Sequence, residues 1–333
     1  MTEGPRLVTA SPHLASDHST PRIMWTVVGS LVPVIGAAIW FFGPSAILVI
    51  AAATAGAVLT ERAFGSAGSL RDGSGLITGL LLGLTLPPGL PMWMAFVGGA
   101  FGIGFGKLIF GGLGQNVFNP ALLGRAFLQA AFPVALTTWP TAQKNWWTLR
   151  GDNLAFPFLS ARAPDVVTGA TPLGIMKFEH KGTALWDLML GTTGGSLGET
   201  AGILITVCGL YLALRNYLNW RIPASIFISV ALFAGALHLA GPAQFPSPLF
   251  MLFSGGLMLG AWYMATDLVT SPVTNKGCWV FGAGIGILVV IIRLWGGLAE
   301  GVMYAILLMN ALVPFINRAT QPTVFGTRAR AGT

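Results

Sequence analysis

Ile39-Trp40-Phe41-Phe42-Gly43-Pro44-Ser45-Ala46-Ile47 sits in the middle of a run without a single charge, from Ile23 to Thr60. A bilayer core takes about 20 apolar residues in helical form, so the run is too long for one crossing and long enough for two. Gly43 and Pro44 mark the division. Glycine frees the backbone for a turn, and proline is tolerated in the first turn of a helix but not in its interior. The reading is two membrane helices joined by the turn at 42–45.

The rest of the chain has the same character. Hydrophobic residues make up 54% of the 333 positions and charged residues only 9%, with a mean hydropathy of +0.73. That excludes a soluble enzyme and sets the class as an all-α, multi-pass membrane protein seated in a lipid bilayer. The 45 glycines suit close helix packing and interrupted helices. The net charge of +7 is scattered, with no basic run, so nucleic acid is not an expected partner. A positive-inside bias explains the charge better. Cys208 and Cys278, the two cysteines, stand far apart in apolar surroundings and suggest neither a metal site nor a disulfide. Residues 1–22 are polar, with no apolar run leading to a small-residue cleavage site, so no removable signal is expected.

Ten spans are expected. After the first two and a charged connection at 61–72, a short Gly-rich helix runs from Ser74 to Leu86 and stops at Pro87-Pro88-Gly89. Spans at 92–110 and 117–132 follow, then a long hydrophilic insert, then spans at 200–217, 222–239, 249–266, 280–294 and 298–316. The halves repeat: Phe101-Gly102-Ile103-Gly104-Phe105-Gly106 recurs as Phe281-Gly282-Ala283-Gly284-Ile285-Gly286, Gly111-Gly112-Leu113 as Gly296-Gly297-Leu298, and the pair Gly75/Gly79 as Gly256/Gly260. Five spans per half is an odd number, which gives the two repeats inverted topology.

Lysine and arginine set the orientation. With a cytoplasmic N-terminus, that side receives Arg6, Arg22, Arg62, Arg71, Lys107, Arg215, Arg221, Lys276, Arg318, Arg328 and Arg330, while the outer connections at 42–45, 87–91, 240–247 and 295–297 carry none. Five basic residues of the insert fall outside, and long translocated segments obey the rule weakly. The expected organisation is a cytoplasmic tail (1–22), a first membrane repeat (23–135), a periplasmic insert (136–198), a second membrane repeat (199–318) and a cytoplasmic C-terminal tail (319–333).

The insert contains Pro164-Asp165-Val166-Val167-Thr168-Gly169-Ala170-Thr171-Pro172-Leu173. Physically this is a turn: Gly169 permits unusual dihedrals and Pro172 disfavours helix at Thr171, so a hydroxyl is presented to an outside reagent. Elsewhere, Asn116, Asn119 and Pro120 stand at a helix start, where amides can hold an anion or a cofactor carbonyl or simply cap the helix. Arg125 is a charge inside an apolar helix, which usually faces the bundle interior or a cofactor. Asp267 ends a span before a Pro-containing turn and reads as a cation or proton ligand or as a cap. His238, on an apolar stretch, reads as packed or interfacial.

Asp165-x-x-Thr168-Gly169-Ala170-Thr171 resembles the flavinylation motif of the NqrB/RnfD family. Ser74-Gly75-Leu76-Ile77-Thr78-Gly79 through Pro88, Gly111-Gly112-Leu113-Gly114-Gln115-Asn116-Val117-Phe118-Asn119-Pro120-Ala121 and Ala265-Thr266-Asp267-Leu268-Val269-Thr270-Ser271-Pro272-Val273-Thr274 are similar to that family's membrane signatures, in order. The compact N-terminal tail favours the RnfD branch over the NqrB branch. The resemblance implies a urea-transporter-like fold in the bacterial inner membrane and FMN attached through a phosphoester to Thr171. Asp165, Thr168, Gly169 and Ala170 would form the attachment turn, with Asn116, Asn119 and Arg125 as further cofactor contacts. It leaves room for a second, noncovalent flavin among the helices. The implied function is a subunit, not catalytic alone, of an ion-translocating ferredoxin:NAD oxidoreductase. Its partners would be the other membrane, Fe–S and flavin subunits and the flavin transferase that matures it. Two alternatives stand beside this: the NqrB-type subunit of a sodium-pumping NADH:quinone reductase, and a passive urea-type channel, which has no use for the Thr-Gly-Ala-Thr turn.

Overall fold

The computed structural model describes residues 19–66, 68–140, 147–157, 171–179, 182–191, 193–199, 202–242 and 244–322. Among these the regular structure is helical. In chain order the helices are α1 (Thr20–Phe42), α2 (Pro44–Phe64), α3 (Ser74–Thr85), α4 (Met92–Ile103), α5 (Pro120–Ala131), α6 (Pro133–Thr137), α7 (Pro172–Glu179) and α8 (Leu185–Leu190). They continue with α9 (Gly202–Leu214), α10 (Arg221–Ala240), α11 (Pro248–Phe253), α12 (Leu257–Leu259), α13 (Asn275–Trp295) and α14 (Val302–Ala319). Wide π turns extend α4 through Gly104–Leu108 and α12 through Gly260–Met264.

The opening turn is as the sequence suggests. Gly43 takes a φ of 65°, its amide closes onto the carbonyl of Ile39, and Pro44 starts α2. Among the described residues, five helices are long and apolar enough to cross a membrane: α1, α2, α10, α13 and α14. The others expected as spans are shorter. α3 and α5 have 12 residues each, about 18 Å at 1.5 Å per residue, which is less than a hydrocarbon core of about 30 Å. The span expected at 117–132 starts only at Pro120, because Asn119 caps it by accepting from the amides of Ala121 and Leu122 at 3.0 and 3.2 Å. The span expected at 249–266 is not continuous. It breaks at Ser254-Gly255-Gly256, where Gly255 has a φ of 65° that a side chain would strain.

Glycines set the helix contacts. A Cβ on Gly56 would stand 2.0 Å from the Phe96 carbonyl oxygen and one on Gly99 would stand 2.1 Å from that of Ala53, so α2 and α4 touch backbone to backbone. α13 lies along α10 in the same way, with Gly282 facing the Ile222 carbonyl and Gly286 facing Ser229. The two glycine hexads nonetheless do not occupy matching faces: Gly102 meets Pro120 of α5, whereas Gly282 meets α10. The halves meet where α1 packs on α9 and α5 on α14.

Two charges expected on the cytoplasmic side, Glu61 in the 61–72 connection and Lys107 near the end of the 92–110 span, are buried in the bundle. α2 continues through Glu61 to Phe64, and the Glu61 carboxylate is ion-paired with Lys107, which also approaches Asp72 at 3.7 Å. Burying either charge alone is expensive in a bilayer, and pairing removes most of that penalty. His238 is packed as expected, its Nδ1 lying 2.8 Å from the carbonyl oxygen of Phe245. Cys208 and Cys278 are free and buried.

Candidate functional site

Thr171 immediately precedes α7, and its Oγ1 accepts the amide of Gly174 at 3.1 Å, as a helix cap does. Pro172 occupies the first helical position, where its missing amide costs nothing. α7 is seated on the loop between α13 and α14. Lys177 donates to the carbonyl oxygens of Gly296 and Leu298, the latter at 3.0 Å. Leu173 packs on Gly255, where a Cβ would stand 2.6 Å from its Cδ1.

This seating places Thr171 on the wall of a cavity of roughly 660 Å³ lined also by Arg125, Gln129, Trp139, Glu199, Leu298, Glu300 and Tyr304. The polar end of the cavity is built from both halves of the chain. Arg125 of α5 donates to Oε2 of Glu300 at 2.7 Å, and Oε1 of Glu300 accepts the Gly256 amide at 2.7 Å. Gly256 is where the broken helix resumes at α12, so the carboxylate caps a helix start and meets its positive end. Arg293 lies behind, donating to the carbonyl oxygens of Met251 and Ser254, the latter at 2.8 Å.

Glu199 hangs from a loop tied to the end of α3: the amides of Leu197 and Gly198 donate to the carbonyl oxygens of Leu86 and Leu84 at 3.1 and 2.6 Å. Its carboxylate lies between Gly195 and Gly256; Cβ atoms there would stand 2.4 and 3.9 Å from its oxygens. The two carboxyls are shifted in opposite directions. Burial raises the Glu199 pKa to about 7, helped by the charge of Glu300 and opposed by Arg125 and Ser196. Burial also acts on Glu300, but Arg125, Arg293 and the Gly256 amide outweigh it and hold its carboxyl below the ordinary range.

Of the residues singled out in the sequence, Thr171 and Arg125 share this cavity. Asn116 and Asn119 do not. They line a second cavity of roughly 810 Å³ at the start of α5, together with Ser74, Lys107, Trp262, Tyr263 and Asp267. Asn119 there both caps α5 and donates to the Met264 carbonyl at 3.1 Å. Asp267 accepts from the Val269 amide at 3.3 Å and the Thr270 hydroxyl at 3.1 Å, so it caps its turn. Asp165, Thr168, Gly169 and Ala170 lie outside the described residues. Glu199 and Glu300 are the residues that sequence reasoning missed. The available signal was their rarity: the chain has 11 acidic residues, and these two sit beside glycine-rich turns at the edges of apolar spans.

The first cavity offers a hydroxyl, a guanidinium paired to a carboxylate, a second carboxyl, the aromatic rings of Trp139 and Tyr304 and an apolar wall at Leu136, Leu298 and Met303.

Comparison with known proteins agrees with this frame. The model described as the NQR2, RnfD, RnfE family matches residues 7–326. The chain is 41% identical, over 96% of both chains, to the D subunit of the proton-translocating ferredoxin:NAD(+) oxidoreductase complex of Clostridium ljungdahlii. It is 40% identical, over 94% of both, to the D subunit of the ion-translocating oxidoreductase complex of Stutzerimonas stutzeri. It is 37% identical, over 96% of this chain and 95% of the relative, to the D subunit of the Na(+)-translocating ferredoxin:NAD(+) oxidoreductase complex of Acetobacterium woodii. An all-helical membrane bundle, the ordered signatures and a match over nearly the whole chain lead to one assignment: this protein belongs to the NQR2, RnfD, RnfE family.

Proposed function

We propose that this chain is the D-type membrane subunit of an ion-translocating ferredoxin:NAD(+) oxidoreductase complex, and that it carries FMN covalently on Thr171. The names of its relatives support the complex, and they include both a proton- and a sodium-translocating member. The observation that carries the cofactor reading is the position of Thr171, on the wall of a cavity whose polar end is Arg125 paired to Glu300. When bound, FMN supplies one-electron chemistry. The chain's own part is to hold and shield it. Thr171 provides the attachment oxygen, and the start of α7 favours a phosphate beside it. Arg125 provides positive charge, and Trp139, Leu298 and Met303 limit access of water. A flavin transferase makes the bond, and the electron donors and acceptors are the other subunits.

In this reading the chain comprises two inverted repeats and ten crossings, several of them by short or broken helices, in a urea-transporter-like arrangement. It lies in a bacterial inner membrane with its termini cytoplasmic and Thr171 periplasmic. The second cavity, with Asn116, Asn119, Tyr263 and Trp262 on its walls, is assigned to a noncovalent flavin, because its amides and rings match a ring system rather than a bare ion.

The test is denaturing-gel fluorescence beside an immunoblot. Thr171→Ala should give a membrane-inserted, non-fluorescent chain, while Thr168→Ala should keep at least part of the signal. A fluorescent Thr171→Ala band moves the attachment elsewhere, and a dark wild type removes the flavin reading. Flavin released into the supernatant on acid precipitation reports the noncovalent site.

A further inference from the structure

Among the described residues Arg125 is ion-paired with Glu300 and not with Glu199. Glu300 is fixed by Arg125 and by the Gly256 amide, so it behaves as a permanent anion that completes the wall. Glu199 sits a short distance away without an arginine of its own in hydrogen bond, on a loop held rigidly by its main chain to Leu84 and Leu86. It lines the same cavity as Thr171. The charged groups facing it are Glu300 from the α13–α14 loop, Arg125 from α5 and, more remotely, Arg293 from α13; Ser196 supplies a hydroxyl from its own loop.

We propose that Glu199 is the proton-accepting positioning residue of this cavity. It takes up one proton when an electron enters the cofactor and releases it when the electron leaves. The proposal rests on the flavin reading above. The balance is simple. One electron arrives from a one-electron donor of the complex, and one proton binds a Glu199 carboxylate oxygen from water at the periplasmic mouth. Both leave on reoxidation, with no bond made or broken besides O–H. The placement suits the task, since a carboxylate already beside the anion of Glu300 gains most from a proton when further negative charge arrives. Its pKa of about 7 puts the event in the working range. Below that pH Glu199 holds its proton in both redox states, and nothing couples. Between it and the higher pKa that the carboxyl takes once the cofactor is reduced, reduction binds a proton that oxidation releases, so the reduction potential falls as pH rises.

The experiment is a redox titration of the covalent flavin in the assembled complex from pH 5.5 to 9, at two sodium concentrations. Wild type is expected to show a break near pH 7, above which this group steepens the slope by about 59 mV per tenfold change in proton activity for a one-electron couple. Glu199→Gln should lose that break while keeping covalent fluorescence. Glu199→Asp, which keeps the carboxylate but shortens its reach, should move the break, and it carries the test if the glutamine variant does not assemble. An unmoved break in a fluorescent variant overturns the proposal, as does a break that follows sodium instead of protons. A wild type with no fluorescent band fails the flavin reading, a distinguishable result.

Discussion

Lys107 and Glu61 form an ion pair in which neither side chain exposes more than 3% of its surface, and the two residues stand 46 positions apart in the chain. The pair joins the ends of α2 and α4 beside Ser74 at the start of α3. Because each charge is buried against the other, the two are not separable energetically.

Removing one partner should therefore be worse than removing both. Lys107→Met leaves the Glu61 carboxylate uncompensated and should destabilise the protein by about 3–5 kcal/mol, whereas Lys107→Met with Glu61→Leu should recover most of the loss. Thermal unfolding of the purified chain in detergent measures both. A double variant no better than the single one would show that the pair's worth lies outside its mutual attraction.

Arg125 is placed to act on the cofactor as well as on Glu300. Arg125→Leu should leave covalent flavin present while electron transfer slows by about tenfold or more, a loss of roughly 1.4 kcal/mol in barrier terms. Arg125→Lys should fall between, since a lysine keeps the charge but not the fork. Turnover unchanged in the leucine variant would reduce Arg125 to a tie between the halves.

The backbone contact of α2 with α4 gives a steric prediction. Gly99→Val would drive a side chain into the Ala53 carbonyl and should cost about 1–3 kcal/mol or more. Gly29→Ala and Gly36→Ala, where a Cβ meets nothing within 4 Å, should be near neutral. Expression level and melting temperature in detergent separate the two classes.

Orientation is checked by labelling. A cysteine at the exposed Leu154, in the insert, should react with a membrane-impermeant reagent in intact cells, and one at Leu70, in the 61–72 connection, should react only after lysis. The reverse pattern would place Thr171 in the cytoplasm.

What the sequence could show followed from local chemistry. The turn at Gly43-Pro44 and the span at 222–239 were legible because proline, glycine and long apolar runs act on their immediate neighbours. Arg125 could be recognised as a charge needing a partner, but Glu300 lies 175 residues away, and no local pattern names it. The break at Ser254-Gly255-Gly256 was hidden because two glycines in an apolar run are equally compatible with a packed helix. The π turns at Gly104–Leu108 and Gly260–Met264 have no compositional mark. Lys107 reads as a surface charge for the same reason: its partner, Glu61, is brought to it by packing.

The main-chain bonds from Leu197 and Gly198 to the end of α3 have a mechanical meaning. At the Thr171 end the loop that leads into the second half is stitched to the first by backbone, and Arg125–Glu300 reinforces the seam. At the other end the ties across the halves include side-chain bonds such as Asn119 to Met264 and Tyr263 to Ser30, the latter at 3.1 Å to the hydroxyl. Both kinds of tie are buried, so breaking either leaves polar groups without partners, but a backbone stitch also fixes the path of the chain while a side-chain bond fixes only the ends it joins. The two halves are thus tied by main chain beside Thr171 and by side chains where α5 begins.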